Sequence, residues 1–419
     1  MSYSIFSITG NRACTYLNLR EILLQETCMK KALFIGLAPL MFATQVMAAT
    51  NTIQLTVNQQ DLAHYRDKPE KYEFTGAQLQ LNNNPAVALE EMETRGQGSI
   101  AYKRRNFGLK TEQKIQVGRI DSKKINLLSM SADPGYISTR LGLMTAELLQ
   151  IGAAQPTEYV EVFINGKTNG LYSMVAKPKA TLDSSPYVVR RGYKSRLITE
   201  EAEISKKLSP AQVKEIEAAL ATIYGSIATK SGQALFSSLK QVMDIDAYMR
   251  WMVMNSLYTN GDFPDEIFFY VDAEMYKQGR IFFRVMPWDF DDLFKEMHGV
   301  LTNKTEAAKP ENKESILYSY EDKLDRSFSP ANAYMYEQLK ATARQLLPNQ
   351  LSTHNTDQLL AQIRAELYEY AGHNGIVAMT AQDSGRKGVA YTAKEISDLF
   401  IKRRQQIESR RAYLLERIK

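Results

Sequence analysis

Pro287-Trp288-Asp289-Phe290-Asp291-Asp292 is the stretch on which the reading of this chain turns. It follows Ile281-Phe282-Phe283-Arg284-Val285-Met286, an apolar run that reads as a buried strand. Upstream, Asn260-Gly261-Asp262 precedes a second apolar run, Ile267-Phe268-Phe269-Tyr270-Val271. Two such strands joined by a turn would hold these acids at one end of a sheet. Asp289, Asp291 and Asp292 repel one another unless a cation or a base neutralises them. The same acids also suit the first turn of a helix continuing through Leu293-Phe294-Lys295, so metal binding and helix capping both stand from this segment alone. Oxygen ligands for magnesium beside an acid that accepts a hydroxyl proton are what phosphoryl transfer needs.

The chain around this stretch has 419 residues, enough for one large domain or two smaller ones. With 44% hydrophobic and 24% charged residues it has the make-up of a globular protein rather than of a disordered one. Net charge is only +5 and the two signs are interspersed, so no basic tract points to nucleic acid.

Near the N-terminus, Met29-Lys30-Lys31 opens a charged segment, Ala32 to Phe42 is apolar, and Val46-Met47-Ala48 places small residues before a cleavage point. This is a secretory signal pattern over residues 29–48, too short for a stable membrane span. The expectation is an exported, periplasmic or extracellular protein that starts at Met29, with residues 1–28 a non-native upstream extension. Both cysteines, Cys14 and Cys28, fall in that extension, so the mature chain would have no disulfide, thiolate zinc site or cysteine nucleophile. His64, His298, His354 and His373 are scattered, without metal-ligand spacing on a helix.

Alternation predicts strands at Thr52–Val57, Ala77–Leu81 and Asn106–Lys110, and helical spacing predicts a helix from Ile137 to Ile151 stopped by Gly152. Tyr159–Ile164 and Gly170–Val175 flank Asn165-Gly166, a hairpin signal. Beyond it the pattern turns helical: Ser209-Pro210 as cap and first residue of a helix to about Tyr224, then Asp244–Leu257, Ala331–Leu347, Asp357–Tyr370 and Ala393 to the end. Residues 302–315 read as a polar loop. The expected fold class is α+β, one unit at 49–419 with a strand-rich lobe over about 49–180 and a helical lobe over about 200–419.

Arg95-Gly96-Gln97-Gly98-Ser99-Ile100-Ala101-Tyr102-Lys103-Arg104-Arg105-Asn106-Phe107-Gly108-Leu109-Lys110 joins glycines to a run of cations. Such a loop suits phosphate, and equally a solvated basic edge strand. Taken together, this segment, the Asn-Gly hairpin Val160–Tyr172, the Asn-x-Asp at 260–262 and Pro-Trp-Asp-x-Asp resemble the CotH kinase family of secreted atypical protein kinases. The likeness covers roughly residues 75–300, with Ile401-Lys402-Arg403-Arg404 resembling the family's closing helix.

The resemblance implies an atypical, two-lobed kinase-like fold and phosphate transfer from ATP to protein substrates with Mg2+ or Mn2+. Asp262 would be the catalytic base, and Asp289 with Asp291 would hold the metal. Lys103, Arg104, Arg105 and Lys110 would lie near the phosphates, and Asp133 and Arg140 fall in the family's helix-entry segment. Three positions depart from the pattern. Ile267 stands where a metal-binding asparagine is expected, with Asp265 and Glu266 the nearest substitutes, each off position. Arg104-Arg105 replaces a lysine pair, and an arginine fork is not equivalent to a lysine point charge. Ala176 replaces a glutamate. The competing expectations are an active kinase, a pseudokinase serving as an envelope or surface binding protein, and a structural calcium site.

Overall fold

The structure is a computed structural model that describes residues 51–96, 98–131, 133–153, 155–192, 196–197, 199–260, 266–294, 315–318, 322–380 and 393–419. The upstream extension, the signal segment, Asp262 and positions 302–314 of the polar loop lie outside them. Everything described falls in one compact unit, Thr50–Lys419.

Seven strands close into a barrel in the order β1-β2-β3-β4-β5-β7-β6. They are β1 (Thr52–Thr56), β2 (Gln78–Leu81), β3 (Val87–Arg95), β4 (Asn106–Val117), β5 (Ile120–Leu128), β6 (Thr157–Ile164) and β7 (Lys167–Ala176). Closure comes from β1, antiparallel to β2 on one side and parallel to β6 on the other. The alternation read from the sequence is what fills the barrel: Ile53, Leu55, Leu79, Phe107, Leu109, Val160 and Val162 all point inward and are essentially inaccessible to water. Asn165 and Gly166 both adopt positive φ, 49° and 75°, and Ile164 pairs with Lys167. The hairpin therefore turns in two residues, and β7 starts three residues before the expected Gly170.

A second sheet has the order β10-β8-β11-β12, with β9 alongside β8. Its strands are β8 (Tyr187–Gly192), β9 (Arg196–Leu197), β10 (Glu203–Ile204), β11 (Ile267–Val271) and β12 (Phe283–Pro287). β11 and β12 are the two apolar runs that bracket the acids, antiparallel as expected, with the short helix Ala273–Lys277 in their connection. All five residues of β11 are buried, which is why its pattern is a continuous apolar run rather than an alternation.

The chain is a mixture of strands and helices, as expected, but the split along it is not clean. β11 and β12 come from the helical half, and β11 pairs with β8, which lies near the end of the strand-rich half. Helices Pro210–Thr229, Gly232–Val242, Ile245–Leu257, Ala333–Leu346, Thr353–Thr380 and Ala393–Arg417 build the rest. Ile245–Leu257 is the central one: Tyr248, Trp251, Met252 and Met254 are all at most 1% exposed. A separate core fills the barrel, so the two cores are distinct clusters.

Two ends are capped as the sequence predicts. Ser209 and Gln212 form a reciprocal capping box ahead of Pro210, and Asp244 accepts from the Ala247 N–H at 2.9 Å. The helix expected over Ile137–Ile151 is shorter, Ser138–Leu148. Gly152 has φ +60°, and a Cβ there would lie 1.6 Å from the Val285 carbonyl oxygen. It is a point of backbone-to-backbone contact with β12, which only glycine permits.

Candidate functional site

The register of the β11–β12 pair, Ile267 opposite Pro287, places Glu266 beside Trp288. The Trp288 N–H donates to the Glu266 carbonyl at 2.9 Å, carrying the ladder one residue past both strands. The backbone then leaves the sheet. Asp289 has φ +51° and Phe294 φ +64°, left-handed conformations that let the chain turn back on itself. Phe290 is fully buried between them and packs on the helix Ser138–Leu148, where a Cβ at Gly142 would sit 2.3 Å from its Cγ. The turn thus brings Asp291 and Asp292 back over the strand end.

Carboxylate oxygens of Glu266, Asp291 and Asp292 lie within 4.8 Å of one another. Glu266 is 5% exposed and the two aspartates are half-buried. Its side chain is held from behind. Asn260, fully buried, donates from Nδ2 to Glu266 Oε2 at 2.8 Å and lies 3.2 Å from Asn255 Oδ1. The Asn260 N–H in turn donates to the Asn255 carbonyl at 3.0 Å, closing the C-terminal end of the helix Ile245–Leu257. Between them Thr259 has φ +47°, a strained setting for a β-branched residue.

Arg95, at the end of β3, approaches from the barrel. Its guanidinium lies 5.6 Å over the Trp288 ring. Burial pushes its pKa down, the Asp289 charge pushes it back up, and Arg190 of β8 lowers it further. Arg95 therefore stands near the acidic turn, within electrostatic reach of both Asp289 and Arg190.

The structure brings some of the sequence candidates together and not others. Asp291 is in the oxygen cluster, whereas Asp289 is exposed on the turn and outside it. Arg104 is 2% exposed; it donates to the Tyr136 hydroxyl at 2.9 Å and to the carbonyls of Leu171 and Ser129, and stacks near Tyr172. Arg105, equally buried, donates to the carbonyls of Tyr65 at 2.6 Å and Ile100 at 3.1 Å. Lys110 pairs with Glu90 and Glu91 at 2.9 and 3.0 Å, hydrogen bonds that raise its pKa. Lys103 is exposed. Asp133 accepts from the Ser138 and Thr139 N–H groups at 3.0 and 3.1 Å, capping that helix, while burial raises its pKa. Arg140 makes a two-pronged pair with Glu366 on the helix Thr353–Thr380 at 2.9 and 3.0 Å. Ile267 and Ala176 are buried core positions.

Glu266 was expected only as an off-position substitute for the ligand missing at 267, Arg95 only as part of the basic glycine segment and Asn260 only as part of the Asn-x-Asp motif; Arg190 was not expected, and Asp292 was not among the expected ligands. A signal for Glu266 was present: strands aligned end to end put the residue before Ile267 next to the residue after Pro287.

The described fold is thus a closed barrel beside a sheet-and-helix core, with hard oxygen donors gathered at the end of a buried hairpin. Residues 92–407 match the family described as CotH kinase protein, and the chain belongs to the CotH kinase family. No curated protein matches it.

Proposed function

We propose that the chain is an exported, metal-dependent protein kinase that transfers the γ-phosphoryl group of ATP to a serine or threonine hydroxyl of a protein substrate. The observation that carries this reading is the convergence of Glu266, Asp291 and Asp292 oxygens at the β11–β12 end, inside a chain of the CotH kinase family. Oxygen donors of this kind suit Mg2+ or Mn2+ rather than softer metals. When bound, the metal would neutralise phosphate charge and orient the γ-phosphoryl group for in-line attack.

The chain's own residues would do the rest. Asp262, two residues past the buried Asn260, would take the hydroxyl proton as the substrate oxygen bonds to phosphorus and the bond to the β–γ bridging oxygen breaks, releasing ADP. Asp291, with Asp292 and Glu266, would hold the metal, and Asp289 faces the Arg95 charge beside it. Arg95, beside Trp288 and Asp289, is closer to the acidic turn than Arg104 and Arg105, whose guanidinium groups are on main-chain carbonyls. The test is transfer of labelled phosphate from ATP with Mg2+ or Mn2+. Transfer by the wild type, lost on Asp262→Ala and Asp291→Ala, is expected; transfer that survives both substitutions overturns the reading.

A second reading, a pseudokinase acting as an envelope or surface binding protein, is favoured by Ile267 and Ala176, two core side chains where the family resemblance implies polar groups. In that case ATP gives neither transfer nor thermal stabilisation. Export itself is tested by sequencing the N-terminus of the secreted product, expected to begin at Ala49. Among the described residues no helix is long and apolar enough to cross a membrane.

A further inference from the structure

We propose that the groove between β5 and β10 docks an extended polypeptide segment of a partner protein, which joins both strands as an added strand. Such docking is independent of phosphate transfer.

A cavity of about 830 Å3 lies where the barrel meets the second sheet. Two runs of chain wall it: Asp121–Lys124 of β5, and Glu201–Ser205, which contains β10. Every residue of both runs borders the cavity. Side chains alternate between the faces of a strand, so an unbroken run along a cavity means that the strand edge is turned toward it. Both edges are open among the described residues. β5 pairs with β7 only over Ile125–Leu128, and β10 ends its sheet.

The hydrogen bonds fix which main-chain groups point into the cavity, because these alternate sides along a strand. On β5 the Lys123 carbonyl accepts from the Thr111 hydroxyl of β4 at 3.2 Å. On the other side the Lys124 carbonyl accepts from the Lys177 N–H at 2.8 Å. Ser122, two residues from Lys124, shares that side, so its N–H and carbonyl point away from β4. On β10 the Ser205 N–H donates to the Pro186 carbonyl at 2.9 Å, toward β8. The N–H and carbonyl of Ile204 therefore point outward, and its apolar side chain is 41% exposed. Ser122 and Ile204 thus each present a donor and an acceptor to one groove.

Charge narrows the occupant. Lys114 pairs with Asp121 at 2.8 Å and Lys179 with Glu203 at 3.0 Å. The remaining charged residues of the lining are Lys123 and Lys124 against Asp183 and Glu201. A balanced wall does not select a nucleic acid or an anionic lipid surface, both of which need a basic patch. Two open strand edges without net charge match a polypeptide main chain, as in strand addition.

The probe is a synthetic peptide selected on the full chain from a phage-displayed library of random peptides, with no nucleotide present. On binding, hydrogen exchange read residue by residue should slow at the Ser122 and Ile204 amides and stay unchanged at Lys123 and Ser205, which face their own sheets. Ile204→Pro removes the outward N–H without touching the β8 pairing and should weaken the peptide about tenfold. Ile204→Ala keeps the N–H and should weaken it less. Should Ile204→Pro fail to fold, N-methylation of alternate peptide amides tests the same hydrogen bonds on the wild-type protein, and one of the two methylation registers should abolish binding. A library that yields no binder, or a peptide that leaves the Ser122 and Ile204 amides unprotected, overturns the proposal. So does protection of both amides in the free protein: independent of concentration it means that a segment of the chain itself fills the groove, and rising with concentration it means a second copy.

Discussion

A methyl group added at Gly142 would lie 2.3 to 2.6 Å from three atoms of the buried Phe290 side chain. Phe290 cannot retreat, being fully enclosed on its other sides. Gly142→Ala should therefore destabilise the fold by about 1–3 kcal/mol despite alanine's better helix propensity. On the kinase reading it should also slow phosphate transfer, because Phe290 holds the turn that carries Asp291 and Asp292. Urea denaturation alongside the phosphate-transfer assay checks both. Asp325 offers a pH-dependent prediction. It is fully buried against Arg191 and Tyr248, and burial raises its pKa to about 6, with Asp322 adding to the effect and Arg191 opposing it. A raised carboxyl pKa means the folded state holds the proton more tightly than the unfolded one. Stability from this group is thus full below its ordinary 3.8 and is lost as pH rises through about 6. Wild type should lose on the order of 1–3 kcal/mol relative to Asp325→Asn across that window, measured by denaturation at stepped pH. At this scale the sequence showed which residues carry charge but not where the charge goes. Arg104 and Arg105 read as phosphate partners because a guanidinium is equally suited to a phosphate and to buried carbonyls; only the packing of Tyr65, Tyr136 and Leu171 around them decides.

Among elements, those with a local signature were legible. The Asn165-Gly166 turn, the Ser209-Pro210 start and the Asp244 cap depend on residues adjacent in sequence, and the structure has all three. β3 was missed because Glu90, Glu91 and Glu93 face outward, leaving only Met92 and Thr94 deeply buried. The short helix Gln59–Asp67 was missed because its hydrophobic face is only Leu62 and Tyr65, although Asn58 caps it at 2.8 Å. The link between the helices Ser138–Leu148 and Thr353–Thr380 was invisible for a different reason: Arg140 and Glu366 are far apart in sequence and only the fold pairs them. That pair gives an element-scale prediction. Glu366→Ala strands a cation that is 5% exposed, leaving it Glu158 at 4.0 Å. A loss of about 2–4 kcal/mol is expected in urea denaturation, somewhat below a fully enclosed pair because Glu366 is partly exposed. A loss under 1 kcal/mol would mean that Glu158 takes over the pairing.

For the molecule as a whole, the α+β class follows from the order of strand-like and helical patterns, and that part was legible. The closure of the barrel was not, since the parallel pairing of β1 with β6 joins segments that no local pattern connects. Nor was the second sheet, whose strands are contributed from both sides of residue 200. This topology predicts the behaviour of fragments. A chain cut near residue 200 leaves β8 without β11, exposing the edge of an apolar strand. The piece spanning about 49–200 should aggregate or melt without cooperativity, whereas the intact chain unfolds cooperatively, as circular dichroism and light scattering would report.

Thr259 links these scales. A threonine held at φ +47° keeps the loop after the helix Ile245–Leu257 under tension, like a spring compressed against Asn260. Thr259→Gly removes the tension, so the protein should become no less stable, and by up to about 1 kcal/mol more so, where most changes beside a buried residue weaken a fold. On the kinase reading the same relief gives Asn260 slack behind Glu266, and phosphate transfer should slow. The substitution would then trade activity for robustness, a compromise set by a single backbone angle.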